Sequence, residues 1–80
     1  MSPKAQHAVA YRKLPGYLRR LREEAGLSQR ALGKKLKKAQ SWVYNCEVAN
    51  RRVDVTEFIV WVKACGSKPV EAFKEFLDEL

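Results

Sequence analysis

Cysteine is scarce in this chain: Cys46 and Cys65 are the only two among 80 residues. Two cysteines cannot build a disulfide-stapled scaffold, and a reducing compartment is the default for such a chain. Neither belongs to a Cys-x-x-Cys pair, and a zinc site asks for about four well-spaced ligands. Histidine is scarcer still, with His7 alone near the N-terminus. There is no nucleophile–base–orienter set and no glycine-rich phosphate loop, so the chain is not expected to be an enzyme. No cofactor, metal or small-molecule ligand is expected either. Apolar runs are only a few residues long, far below the ~20 needed to span a membrane. The opening MSPKAQHAVAYRK lacks an apolar core of signal-peptide length, and the expected location is the cytoplasm. No segment alternates as a strand does, which leaves an all-α chain.

What is present is enough for one small globular domain. Hydrophobic residues make up 46% and charged residues 31%, a balance suited to a packed core. A chain of this size buries only about 60–65% of its unfolded surface, so its margin of stability is small. The net charge of +7 is unevenly spread. Residues 1–52 hold thirteen Lys/Arg against three Asp/Glu, a net of +10, and residues 53–80 hold three against six, a net of −3. A basic part joined to an acidic part suggests one face for a polyanion and another for a different task.

Periodicity and punctuation divide the chain into five short helices. Residues 1–13 lack periodicity and are expected to form a flexible basic arm carrying Lys4, Arg12 and Lys13. A first helix is expected over about 15–25, with Pro15 in its first turn, Leu14, Leu18, Leu21 and Ala25 on one face with Tyr17, and Gly26 just past its end. A second is expected over about 28–36: Ser28 is a good N-cap, Leu32 and Leu36 face inward, and Gly33 makes sense where another helix crosses closely. After a tight turn at Lys37–Ala39, a third helix is expected over about 40–48. Ala39, Val43 and Cys46 lie on one side of it and Ser41, Asn45 and Val48 on the other, with Tyr44 at the edge. A loop, ANRR, precedes a fourth helix opened by DVTE, in which Asp54 and Glu57 form a capping box. Its inner stripe is Val55, Phe58, Ile59, Val62 and Cys65, and Gly66 ends it. Pro69 starts a fifth helix with an apolar stripe of Val70, Phe73, Phe76, Leu77 and Leu80. Phe58, Trp61, Phe73 and Phe76 are expected in the core, with part of that stripe available to a dimer surface.

Two short helices joined by about three residues, the second apolar inside and small-polar outside, fit the description of a helix-turn-helix, spanning about 28–48. The second helix can enter a DNA major groove, where Gln and Asn amides suit base edges and lysines suit phosphates. A lysine cluster alone is ordinarily just a solvated face; the neighbouring turn and polar helix give it meaning. A membrane-surface helix is disfavoured because the turn after Leu36 interrupts any apolar stripe.

The run LRRLREEAGLSQRALGKKLKKAQSWVYNCEVANRR resembles the Cro/repressor (XRE-type) helix-turn-helix family. GLSQ at the start of the second helix, Ala31-Leu32, then Gln40, Ser41 and Val43, and finally Glu47 carry the likeness. RRVDVTEF followed by GSKP is similar to the ending of short bacterial and phage members. The resemblance covers about 14–77 and implies a compact five-helix, lambda-repressor-like domain over 14–80. It implies a sequence-specific double-stranded-DNA-binding regulator, a repressor acting as a homodimer on a palindrome, with 53–80 as the dimerisation part. Base contacts are implied for Gln40, Ser41, Tyr44 and Asn45. Phosphate contacts are implied for Gln29, which also braces the recognition helix, and for Asn50, Arg51 and Arg52. The lysines flanking the turn, Lys35, Lys37 and Lys38, join that set. Arg22 and Glu47 match a structural ion pair. Departures are Lys37 where relatives often have Gly, Ala39 as a weak N-cap, and Trp42. Three roles are open to Trp42: packing against the second helix, covering a sugar or thymine methyl, or meeting a protein partner. An antitoxin or adaptor that chiefly binds another protein is the alternative reading of the whole chain.

Overall fold

The boundaries of the helices follow from local capping chemistry. In the computed structural model, which describes residues 3–80, with side chains from residue 11 onward, the order is α1 (Pro3–Glu24), α2 (Gln29–Leu36), α3 (Gln40–Glu47), α4 (Val55–Ala64) and α5 (Pro69–Asp78). Ser28 caps α2 by accepting from the Ala31 N–H at 3.0 Å. Asp54 and Glu57 close the expected capping box on α4: the Asp54 carboxylate accepts from the Glu57 N–H at 2.8 Å, and the Glu57 carboxylate accepts from the Asp54 N–H at 2.9 Å. Each bond satisfies a donor that the helix itself leaves unpaired. Pro69 occupies the first turn of α5, where its missing N–H costs nothing.

The first helix departs from expectation. It does not begin at Pro15; Pro15 lies buried inside a helix of 22 residues. An interior proline sacrifices one helical hydrogen bond, and tertiary contacts of the added turns offset that loss. Tyr11 Oη donates to the Arg51 carbonyl at 3.1 Å, the Arg52 guanidinium sits 4.9 Å from the Tyr11 ring centre, and Lys13 Nζ donates to the Glu79 carbonyl at 2.7 Å. Residues 11–13 are therefore docked on the folded body and are not part of a free arm. The side chains of Lys4 and His7 lie outside the described residues.

All five helices contribute to one buried core: Tyr17, Leu18 and Leu21 of α1, Leu32 of α2, Val43 and Cys46 of α3, Phe58, Val62 and the fully buried Trp61 of α4, and Phe76 of α5. The Trp61 indole N–H donates to the Leu18 carbonyl at 3.1 Å, and Tyr17 Oη donates to the Ala72 carbonyl at 2.9 Å. The polar atoms of these large aromatics are thereby satisfied while their rings supply the core. Both thiols are free; burial pushes that of Cys46 up and that of Cys65 up to about 11, so both remain protonated.

Several positions expected inside are outside. Ala25 and Ala39 are exposed because both fall in the turns beyond their helices. Val55 is 71% exposed, Val70 82%, Phe73 50%, Leu77 49% and Leu80 54%. Of the α5 stripe only Phe76, with Ala72 beside it, reaches the core. A terminal helix has neighbours on one side alone, so an apolar stripe wider than that contact is left uncovered.

Two helices end in left-handed residues that carry a Cβ. Lys37 has φ 57° and Ala49 has φ 64°, where Gly26 and Gly66 fill the corresponding positions after α1 and α4. A non-glycine residue in this region is strained by roughly 1 kcal/mol. Lys37→Gly and Ala49→Gly should each raise stability by about 0.5–1 kcal/mol, read as a higher midpoint of thermal unfolding; an unchanged or lower midpoint would contradict the strain.

Candidate nucleic-acid interface

The turn between α2 and α3 is held by its own backbone. Lys37 N–H donates to the Lys34 carbonyl at 3.2 Å and Lys38 N–H to the Gly33 carbonyl at 2.8 Å, the paired bonds of a left-handed helix end. A Cβ on Gly33 would stand 2.7 Å from the Lys38 carbonyl oxygen. The glycine thus makes room for the turn folding back over α2, and not for a crossing helix. Ala39 gives α3 no side-chain cap, as its chemistry predicts; its carbonyl accepts from the Trp42 N–H at 3.0 Å.

Beneath α3 lies the expected ion pair. Arg22 and Glu47 are each 8% exposed. Arg22 Nε donates to Glu47 Oε2 at 2.6 Å, Nη2 to Oε1 at 3.0 Å, and Nη1 to the Leu27 carbonyl at 2.8 Å. The hydrogen bonds to Glu47 raise the arginine's already high pKa, so the guanidinium stays charged. Gln29 Nε2 donates to the same Glu47 Oε1 at 3.0 Å, and Gln29 Oε1 accepts from Gln40 Nε2 at 3.2 Å. A chain of hydrogen bonds therefore runs from the buried pair to the exposed first residue of α3. Gln29 thus links Glu47 to the first residue of α3.

Gln40, Ser41 and Tyr44 are exposed on the outer face of α3, with Val48 at its end. Asn45 is half-buried: its Oδ1 accepts from Asn50 Nδ2 at 3.3 Å, and its carbonyl accepts from the N–H groups of Asn50 and Arg51. It shares this face but is partly engaged by the following loop. Lys35, Lys37 and Lys38 are exposed around the turn, and Lys34 and Arg30 of α2 are exposed as well.

The loop after α3 is more committed than its sequence suggests. Arg51 grips the Glu57 carboxylate with both terminal nitrogens, Nη1 to Oε1 at 3.1 Å and Nη2 to Oε2 at 2.9 Å, and Nη1 also donates to the Arg52 carbonyl at 2.7 Å. This occupies much of the fork expected to meet phosphate. Asn50 and Arg52 remain exposed. Trp42 is half-buried on the flank of α3, its ring 6.2 Å from that of Trp61, with Lys38 Nζ 5.3 Å and the Arg51 guanidinium 4.9 Å from the ring centre. A groove between α1 and α5 is lined by Glu24, Glu71 and Glu75 together with Lys68.

Comparison with known proteins agrees with this geometry. A family model described as a helix-turn-helix domain matches residues 14–73. A solved structure described as "XRE-family like protein from Pseudomonas syringae pv. tomato str. DC3000" superposes with a TM-score of 0.87 at 32% identity, over 95% of this chain and 93% of that one. No curated protein sequence matches. Among the described residues, no helix is long and apolar enough to cross a membrane.

Removing one partner of the buried pair leaves the other charged and unpaired. Glu47→Ala should destabilise the fold by about 3–5 kcal/mol in denaturant unfolding, whereas Glu79→Ala, which breaks a surface pair with Arg20, should cost only about 0–1 kcal/mol. Equal costs would refute the distinction. Arg51 holds the Glu57 carboxyl below its usual range, and hydrogen bonds from Thr56 and the Glu57 N–H do the same for Asp54. Depressed carboxyl pKa values contribute stability that is present above the unfolded values, near 4, and lost as pH falls through the folded ones. Glu57→Gln keeps a side chain able to close the cap but removes the charge, and should flatten the acid limb of a stability–pH curve; an unaltered limb would show that Glu57 contributes nothing to it.

Proposed function

This chain belongs to the XRE-type helix-turn-helix family, a family of DNA-binding regulators, and from that premise we propose that it is a sequence-specific regulator that binds double-stranded DNA as a homodimer on a palindromic operator. The observation that carries the reading is the outer face of α3. Its exposed Gln40, Ser41 and Tyr44 stand on a helix anchored by a buried ion pair and ringed by exposed lysines. In this reading α3 enters the major groove, where Gln40, Ser41, Tyr44 and the free part of Asn45 meet base edges. Gln29, Lys35, Lys37, Lys38, Asn50 and Arg52 meet phosphates on either side, which fixes register and supplies most of the affinity. Arg51, with its fork on Glu57, serves as the anchor of the loop that presents Asn50 and Arg52.

One eight-residue helix reads only a few base pairs, so useful specificity calls for a second half-site about one helical turn, ~34 Å, away. The uncovered apolar residues of α4 and α5 supply a surface for the second copy. Leu14, Val53, Val55, Phe58, Phe73 and Phe76 line an apolar groove of about 160 Å³, and Val70 and Leu77 continue the α5 stripe beside Phe73. Pairing there keeps the acidic half of the chain away from the phosphates. Occupying an operator blocks other proteins from it, the simplest route to repression. The same apolar face also favours a second reading, an antitoxin or adaptor that meets another protein there; stable co-purification with such a partner, and no DNA shift, would select it.

Binding to a duplex selected from a random pool should weaken steeply with salt, with a slope of roughly −0.9 per phosphate contact. Lys35→Ala should weaken selected and random duplexes alike, while Gln40→Ala should lose about 1–3 kcal/mol of preference at one base position. Salt-insensitive binding would sink the proposal. In solution, Phe73→Glu should convert a dimer to a folded monomer; a wild-type monomer mass would reject the dimer.

A further inference from the structure

Trp42 is the side chain of α3 that the DNA-reading face does not absorb. It lies neither in the core proper nor among the outward polar residues. Its ring is held from below by Trp61, and two cations from opposite ends of α3 lie over it: Lys38 from the turn before the helix and Arg51 from the loop after it. Lys38 is two residues from the first residue of α3, and Arg51 is four beyond the last. Few side chains on so short a helix can touch both of its flanks, and a large flat ring suits the task because its face attracts cations at both positions.

The second flank is a built assembly. Ala49 turns the chain in the left-handed region, and the Asn45 carbonyl accepts from the N–H groups of Asn50 and Arg51 at 3.0 and 3.2 Å. Glu57 then holds the Arg51 fork, and Tyr11 accepts Arg52 on its ring while its Oη donates to the Arg51 carbonyl. Arg51 is where α3, α4 and α1 meet, and Trp42 is the only residue of α3 whose side chain stacks on it among the described residues. The first flank is simpler. A lysine in solution samples many rotamers, and confining Lys38 over a ring removes part of that freedom before a polyanion arrives.

Resting on the DNA-binding reading above, we infer that Trp42 is a positioning residue: it pre-orders the basic segments on both flanks of the recognition helix for phosphate, and it touches no base. The indole thus acts on affinity and not on sequence preference. Its half-buried place against Trp61 and beside two cations sets it apart from Gln40, Ser41 and Tyr44, which are exposed on the outer face.

The test uses the full chain and measures binding to a selected duplex and to a random-sequence duplex across a series of salt concentrations. The variants are Trp42→Met, which fills the site without a ring, Trp42→Phe, which retains one, and Lys38→Met, which removes a charge but leaves the core untouched. One lost phosphate contact lowers the salt slope by about 0.9 and affinity roughly eightfold near ~0.1 M salt. Trp42→Met should lose one to two contacts' worth on both duplexes equally, with Trp42→Phe close to wild type and Lys38→Met lower by one contact. In the Trp42→Met background, Lys38→Met should have a smaller effect, because its contact is already impaired. An unchanged slope in folded Trp42→Met, or in Lys38→Met whatever the fate of the tryptophan variant, overturns the inference. So does a change in the ratio of selected to random binding in Trp42→Met or Trp42→Phe, which would put the ring on a base. If the wild-type chain binds neither duplex, the DNA-binding reading itself fails and takes this inference with it.

Discussion

The Arg22–Glu47 pair is the interaction on which the placement of α3 depends. A buried charge without its partner costs several kcal/mol, so the two residues define a narrow range of positions for α3 relative to α1. The pair is weak evidence for net stability, because the same volume filled by apolar side chains serves the core equally well. What it adds is direction. Both Glu47 carboxylate oxygens accept, from Arg22 and from Gln29, and among the described residues no buried side-chain polar atom is left unpaired. Gln40 then inherits its place from Gln29, at the N-terminal end of α3.

Around that pair, each end of α3 is fixed by a different means. At its start the turn backbone folds onto Gly33, and a residue with a Cβ there would collide with a carbonyl that has no freedom to move. At its end the chain turns through Ala49 and is secured by the Arg51–Glu57 fork. Glu57 has two tasks at once: it closes the cap of α4 and neutralises the arginine of the preceding loop. That economy leaves Arg51 less available to a phosphate than its neighbours Asn50 and Arg52, so the count of basic residues overstates the charge presented to a polyanion.

The outer surface is divided by the same logic. Exposed cations border α3 in the turn and the following loop, and Glu24, Glu71 and Glu75 line a groove between α1 and α5. An uncovered apolar strip runs along α4 and α5. A small domain cannot cover every apolar residue it carries, but Val70, Phe73 and Leu77 recur along one side of a single helix, which is a pattern and not a scatter. Family membership supports DNA binding by this fold, and the strip supports self-association.

How much of this the amino-acid order determined by itself depends on the range of the force involved. The five helices, Ser28 and the Asp54–Glu57 box as caps, and Ala39 as a bare cap follow from chemistry within a few residues, whereas Lys37 as a strained turn residue was readable only through family likeness. Arg22–Glu47 was readable only through family likeness, since its partners are 25 residues apart. Tertiary packing decided the rest. Whether Pro15 started or merely interrupted a helix turned on Tyr11 reaching Arg51, 40 residues away. Whether the α5 stripe was core or surface turned on how many neighbours a terminal helix has. Trp42 had three open roles until Trp61, Lys38 and Arg51 were brought to one ring, because an aromatic side chain has no local partner that determines its use; its role is set by whatever the fold carries to its face.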